Sequence, residues 1–169
     1  MSVEYEVRGH MAIITLNRPE ARNAINGVMA AGIEHALDRF EDDPELWVAI
    51  LTANGKAFCA GADLKEISAG NGGALGTEKG GFAGIVKRER TKPLIAAITG
   101  SALAGGTEIA LSCDMIICAD TTNFGLPEVK RSLVAGAGGL FRLPRVIGMP
   151  TALEAILTGD PLPAQRAYE

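Results

Sequence analysis

The chain has 169 residues, 47% of them hydrophobic and 21% charged, and carries a net charge of −4 at pH 7. A chain of this size buries roughly 70% of its unfolded surface, so one domain with one sizeable core, spanning residues 1–169, is expected. The acidic balance and the lack of a basic run exclude nucleic acid and anionic membrane surfaces as main partners, and no apolar stretch approaches the ~18 residues of a membrane span.

The N-terminal "MSVEYEVRGH" has two acids and no apolar core, so it does not read as a signal peptide, and a cytoplasmic location is expected. Val3 to Arg8 alternates apolar and charged residues, Gly9-His10 turns, and "MAIITLN" continues as a hairpin partner that becomes a central strand. From Asn26 the period changes. Met29, Ile33, Leu37 and Phe40 recur every three or four residues, which predicts an amphipathic helix stopping near Pro44. "WVAILTA", Trp47 to Ala53, is a buried strand, and Asn54-Gly55 turns the chain into "KAFCAGADLKE".

Residues Ser68 to Gly81 hold six glycines and read as a mobile surface segment. "PLIAAITG" is then a strand, "AGGTEIALSC" begins a helix and "DMIICAD" is the next strand. Strands alternating with helices through Gly-rich turns predict repeated ββα or βαβ units and an α/β fold. After Gly139 the sequence turns helical, with two segments separated at Pro150. The cysteines Cys59, Cys113 and Cys118 are odd in number and lack CxxC spacing, so neither a disulfide nor a metal site is expected.

Two Gly-rich turns, "CAGADLKEI" and "ALAGGTEIAL", each follow a strand and open a helix. Peptide N–H groups there lack an intrahelical partner, and small side chains at Ala60, Gly61, Ala62, Gly105 and Gly106 would let a ligand oxyanion reach the backbone. Neither turn matches the dinucleotide or P-loop fingerprint. Glu108 is the single charged residue between Lys92 and Asp114. A carboxylate in so apolar a stretch is paired, hydrogen-bonded or functional, and burial raises its pKa toward the range useful for proton transfer. Glu128 follows "NFGLP", where Gly125 and Pro127 bend the chain.

Four segments in this order resemble the crotonase, or enoyl-CoA hydratase/isomerase, superfamily: "LNRPEARNAIN", "AFCAGADLKEI", "AAITGSALAGGTEIAL" and "FGLPEVKRSLVAGAGGLFRLPRVIG". The resemblance implies a crotonase-like spiral of ββα units, continued in that family by a further helical block, so the chain reads as ending where a C-terminal helical region begins. It also implies an oxyanion hole from the backbone N–H groups of Ala62 and Gly105, and catalytic roles for Glu108 and Glu128. Arg22, Ala24, Ala60, Gly61, Asp63, Leu64 and Lys65 match positions that hold a bent coenzyme A, and Gly136 matches one whose amide helps to hold water. The implied activity is addition of water to a 2,3-enoyl-CoA or its reverse, by a trimer or dimer of trimers. CoA enters as part of the substrate and no cofactor is implied. An isomerase, a carnitinyl-CoA-type dehydratase and an inactive thioester-binding fragment remain alternatives. Ala104, Ser132 and Ala135 depart from the glycine, glycine and proline frequent in the family.

Overall fold

The computed structural model describes all 169 residues and begins with the expected hairpin of β1 (Val3–Arg8) and β2 (Met11–Leu16). Gly9 sits in its turn at φ +59°, a conformation glycine adopts without strain. Ala12, Ile14 and Leu16 of β2 point inward as the two-residue period requires. Helix α1 (Gly27–Asp42) starts at Asn26, whose side chain accepts the Met29 N–H, and buries Met29, Ile33, Leu37 and Phe40 completely. Burial of such side chains stabilises by about 1.5–3 kcal/mol each. The helix ends because Asp43, preceding Pro44, is extended.

Three strand–strand–helix turns follow. The first is β3 (Val48–Ala53), β4 (Ala57–Cys59) and α2 (Leu64–Ser68). A small antiparallel hairpin, β5 (Gly76–Thr77) with β6 (Gly81–Phe82), precedes the second, which is β7 (Leu94–Ile98), β8 (Ser101–Leu103) and α3 (Gly105–Leu111). The third is β9 (Met115–Cys118), β10 (Asn123–Gly125) and a 3-10 helix, Pro127–Arg131. Helices α4 (Gly139–Ile147) and α5 (Met149–Thr158), the short β11 (Leu162–Pro163) and α6 (Ala164–Tyr168) complete the chain. The break between α4 and α5 falls at Gly148, φ +78°, and Pro150 lies in the first turn of α5 rather than between the helices.

The first strand of each turn enters one sheet, ordered β1-β2-β3-β7-β9, and the second enters another, ordered β11-β10-β8-β4. Each turn thus advances both sheets by one parallel strand, the α/β spiral expected from the sequence. A continuous apolar cluster joins the inner faces of the sheets to α1.

The glycine-rich segment is more structured than its composition suggests. Leu75 is buried, and Thr77 binds the Glu34 carboxylate, while Lys79 and Arg88 both reach Asp38 on α1. One buried leucine and partners contributed by a distant helix organise what local sequence reads as a bare loop.

Candidate active site

Strands β4, β8 and β10 are parallel neighbours, so the loops leaving their C-terminal ends meet. Such loops are where open α/β sheets place ligands. They carry Ala62, Gly105 and Glu128.

The first loop is fastened on one side. Ala60 N–H donates to Arg22 O at 3.0 Å, Ile25 N–H to Gly61 O at 2.8 Å and Asp63 N–H to Ile25 O at 2.9 Å. Residue 62 pairs with Ile25 in this parallel bridge, so its own N–H faces away from residues 22–25 and finds no acceptor. Gly105 N–H, the first of α3, has no acceptor either. The loops touch: a Cβ on Gly61 would lie 3.0 Å from the Gly105 nitrogen and 2.8 Å from the Ala104 Cβ, and one on Gly106 would collide with the Cys59 carbonyl oxygen. Small residues are therefore needed to bring the two unpaired donors together.

Ala104 stands at φ +52°, ψ −128°, and Ser132 at φ +55°. These two departures from the family's glycines thus occupy conformations that glycine adopts freely, and a strained side-chain-bearing residue costs about 1–3 kcal/mol. Ala104 is held there by donating to Gly125 O at 2.8 Å and accepting from Glu108 N–H at 3.2 Å.

Glu108 is only 3% exposed, and its Oε1 accepts the Gly139 N–H at 2.9 Å. Burial pushes its carboxyl above the usual range, against the opposing pull of the Gly139 and Ala137 backbone and the Arg142 guanidinium. Arg142 donates to Val86 O at 2.6 Å and Ala137 O at 3.2 Å, which ties down the turn before α4. Glu128, half-buried in the first turn of its 3-10 helix, has a buried Oε2 without any partner. Burial raises its carboxyl above the usual range, against the pull of its own backbone N–H, and the charge of Glu108 adds to the rise. An orphaned buried carboxylate oxygen, on a loop next to those that carry the unpaired N–H donors, is a place for a water or a reacting group.

The residues assigned to coenzyme A divide. Arg22, Leu64 and Lys65 are exposed, and Ala24 and Ala60 half-exposed, along one rim of the first loop. Asp63 is instead 7% exposed and turned inward: Oδ1 caps α2 through Lys65 N–H at 3.0 Å and Oδ2 receives Arg18 Nη1 at 2.7 Å. The Arg18 side chain holds its carboxyl below the usual range, so Asp63 serves the loop's shape. Gly136 is exposed, and its N–H is taken by Val134 O at 2.8 Å, which leaves that amide no free donor for water. The amide that meets Glu108 is that of Gly139.

Asn23 escaped the sequence reading. Fully buried at φ +53°, it donates to Asn54 O at 2.9 Å and Ala57 O at 2.8 Å and accepts Arg18 N–H at 2.7 Å. No feature of "RPEARNAIN" distinguishes this asparagine from a solvated turn residue. Cys59 is buried, and its thiol is pushed up to about 12, so it is no nucleophile. An apolar cavity of about 340 Å³ beside β9, α4 and α6 is lined by none of Ala62, Gly105, Glu108 or Glu128.

The family model described as enoyl-CoA hydratase/isomerase matches residues 6–169. A mevalonyl-coenzyme A hydratase of Aspergillus fumigatus is 44% identical over 152 residues, 89% of this chain and 56% of that protein. Among solved structures, an enoyl-CoA hydratase from Mycobacterium tuberculosis superposes with a TM-score of 0.94 at 51% identity, covering 99% of this chain and 65% of that one. A carnitinyl-CoA dehydratase from Mycobacterium avium superposes with a TM-score of 0.93 at 45% identity, covering 98% and 66%. The chain thus spans between about half and two thirds of the length of these proteins.

Proposed function

The chain belongs to the enoyl-CoA hydratase/isomerase family, and from that premise we propose that it serves the addition of water across a 2,3-enoyl-CoA thioester or the reverse dehydration. The observation that carries this reading is that two touching loops carry the acceptorless N–H groups of Ala62 and Gly105, in a fold that also gives Glu108 and Glu128 carboxyls raised by burial. Water adding to C3 drives the double-bond electrons through C2 to the thioester oxygen. Two preorganised donors stabilise that enolate, and losing one such donor costs about 3 kcal/mol. Glu108, ionised, takes the proton of the attacking water, and Glu128, protonated, delivers a proton to C2 as the enolate collapses. The water's hydroxyl ends on C3 and a proton on C2, the 3-hydroxyacyl thioester leaves, and the proton gained by Glu108 is released to solvent while Glu128 takes one up, which restores the starting state. The exposed Arg22 and Lys65 supply cations for the phosphates of CoA, which is part of the substrate. The mechanism draws on no redox or metal chemistry.

The likeness to a carnitinyl-CoA dehydratase favours a second reading, the same groups run in reverse on a 3-hydroxyacyl thioester. Loss of crotonyl-CoA absorbance on adding the protein tests the first, and appearance of an enoyl chromophore from a 3-hydroxyacyl-CoA tests the second. No absorbance change with either substrate counts against both.

A homo-oligomer, trimer or dimer of trimers, belongs to the same proposal. Leu140, Phe141, Val146, Met149, Leu153 and Leu157 expose apolar surface on α4 and α5. No helix is long and apolar enough to cross a membrane, and a cytoplasmic setting completes the proposed picture.

A further inference from the structure

The hairpin motif "GGFAG" has no part in the chemistry above, yet it delivers an aromatic ring to the oxyanion donor. A Cβ placed on Gly105 would lie 2.5 Å from Cε1 and 2.7 Å from Cζ of Phe82, so the tip of that ring fills the space where a side chain would stand on the residue whose N–H is free. The Gly61 Cα is 3.4 Å from the same point. The ring tip and the first donor loop therefore both close on the side of Gly105 that lacks a side chain.

The ring is held there by its hairpin. Gly81, Ala83 and Gly84 all have positive φ, folding the chain back sharply on both sides of Phe82. Lys87 N–H closes the turn on Gly80 O at 2.8 Å, and Ala83 N–H donates to Leu75 O at 2.9 Å. Gly84 lies so close to α1 that a Cβ there would fall 2.5 Å from Ala30 O and 3.0 Å from the Glu34 nitrogen. Glu34 also receives the Thr77 hydroxyl, and Asp38, one turn on, binds Lys79 and Arg88. Phe82 itself stays half-buried.

We infer that Phe82 is a specificity-determining residue: its ring is the wall of the acyl subsite beside the oxyanion donors and limits the bulk of the acyl carbons next to the thioester carbonyl. This rests on the proposed thioester site. A hydrophobic wall discriminates by size, and one methylene more or less changes relative rates by about 10–200-fold. Anchoring on α1 makes the limit sharp, because it fixes the backbone around Phe82 and leaves the ring only its own side-chain torsions by which to yield.

The test compares the parent protein with Phe82→Leu and Phe82→Trp, first by calorimetric binding of the unreactive thioesters acetyl-, butyryl- and isovaleryl-CoA. The expected result is a shift of about tenfold or more in the isovaleryl-to-acetyl affinity ratio, toward the branched chain with leucine and away from it with tryptophan. Where the parent turns over, kcat/KM for crotonyl-CoA against a branched enoyl-CoA shifts the same way. Circular dichroism melts confirm that both variants fold, and if only one folds its direction of shift still decides. Ratios unchanged within twofold overturn the role of Phe82 while leaving the site reading intact. A parent that binds no thioester overturns the site reading, and this inference falls with it. Binding without turnover, with the ratios shifted, removes the catalytic reading alone.

Discussion

Replacing Glu108 with glutamine removes one proton-accepting oxygen and almost nothing else. Glutamine is isosteric, and its carbonyl can still accept the Gly139 N–H that Oε1 receives at 2.9 Å. A general base contributes about 10²–10⁴-fold, so turnover is expected to fall by at least 10²-fold, equivalent to about 2.7 kcal/mol of barrier. Thioester affinity is expected to change little, because the donors at Ala62 and Gly105 and the rim at Arg22 are untouched, the pattern of a group needed in the transition state. Stability moves the opposite way. Burial raises the folded-state pKa of Glu108 above its unfolded value, so the folded protein binds the proton more tightly and loses stability as pH rises between the two values. Once ionised, the side chain is therefore a liability that glutamine lacks. Glu108→Gln is expected to melt higher than the parent at pH 7, with the gain shrinking as pH falls from the raised folded-state value toward the ordinary carboxylate value. Each 1 kcal/mol corresponds to about 2–4 °C in a domain of this size. Crotonyl-CoA turnover and scanning calorimetry at pH 4 and pH 7 read both effects. A variant that keeps most of the rate, or melts lower at pH 7 than at pH 4 relative to the parent, would refute the assignment of a strained catalytic acid.

Glu128→Gln is expected to lower turnover by a similar ~10²-fold, and the double variant to lose far less than the product, because both acids serve one addition; multiplicative losses in steady-state rates would oppose a shared step. The pH profile of hydration kcat/KM is expected to be bell-shaped, because one carboxyl must be ionised and the other protonated, and displaced upward from the ordinary carboxylate range since burial raises both groups. A flat profile across pH 5 to 9 would contradict the pair. Gly105→Ala drives a methyl to 2.5 Å from the Phe82 ring, so about 1–3 kcal/mol of overpacking and a ~10²-fold loss in kcat are expected from denaturant titration and kinetics. Asn23→Ala orphans Asn54 O, Ala57 O and Arg18 N–H together, and chemical unfolding is expected to show a loss of about 3 kcal/mol or more, with a stability change under 1 kcal/mol ruling out its anchoring role.

Periodicity alone made α1 and the first hairpin legible, because Met29, Ile33, Leu37 and Phe40 on one face and the alternation in β2 state which side must leave water, whatever it packs against. The same holds for Glu108, whose isolation in an apolar run announces a buried carboxyl before any partner is known. Four ordered motifs also made the family and its spiral readable. Tertiary structure decided the rest. An N–H is free only where the whole fold supplies no acceptor, so the donors at Ala62 and Gly105 emerge from the one-sided ladder to residues 22–25 and from the adjacency of β4 and β8. Asp63 and Gly136 lie in motif positions, yet Arg18 and Val134 O claim their polar groups. Asn23 and Phe82 gain their roles by reaching residues far along the chain, and the glycine-rich segment gains its hairpin from α1. Local sequence encodes which surface each element must bury, but partners, strain and unpaired groups depend on where distant elements come to rest.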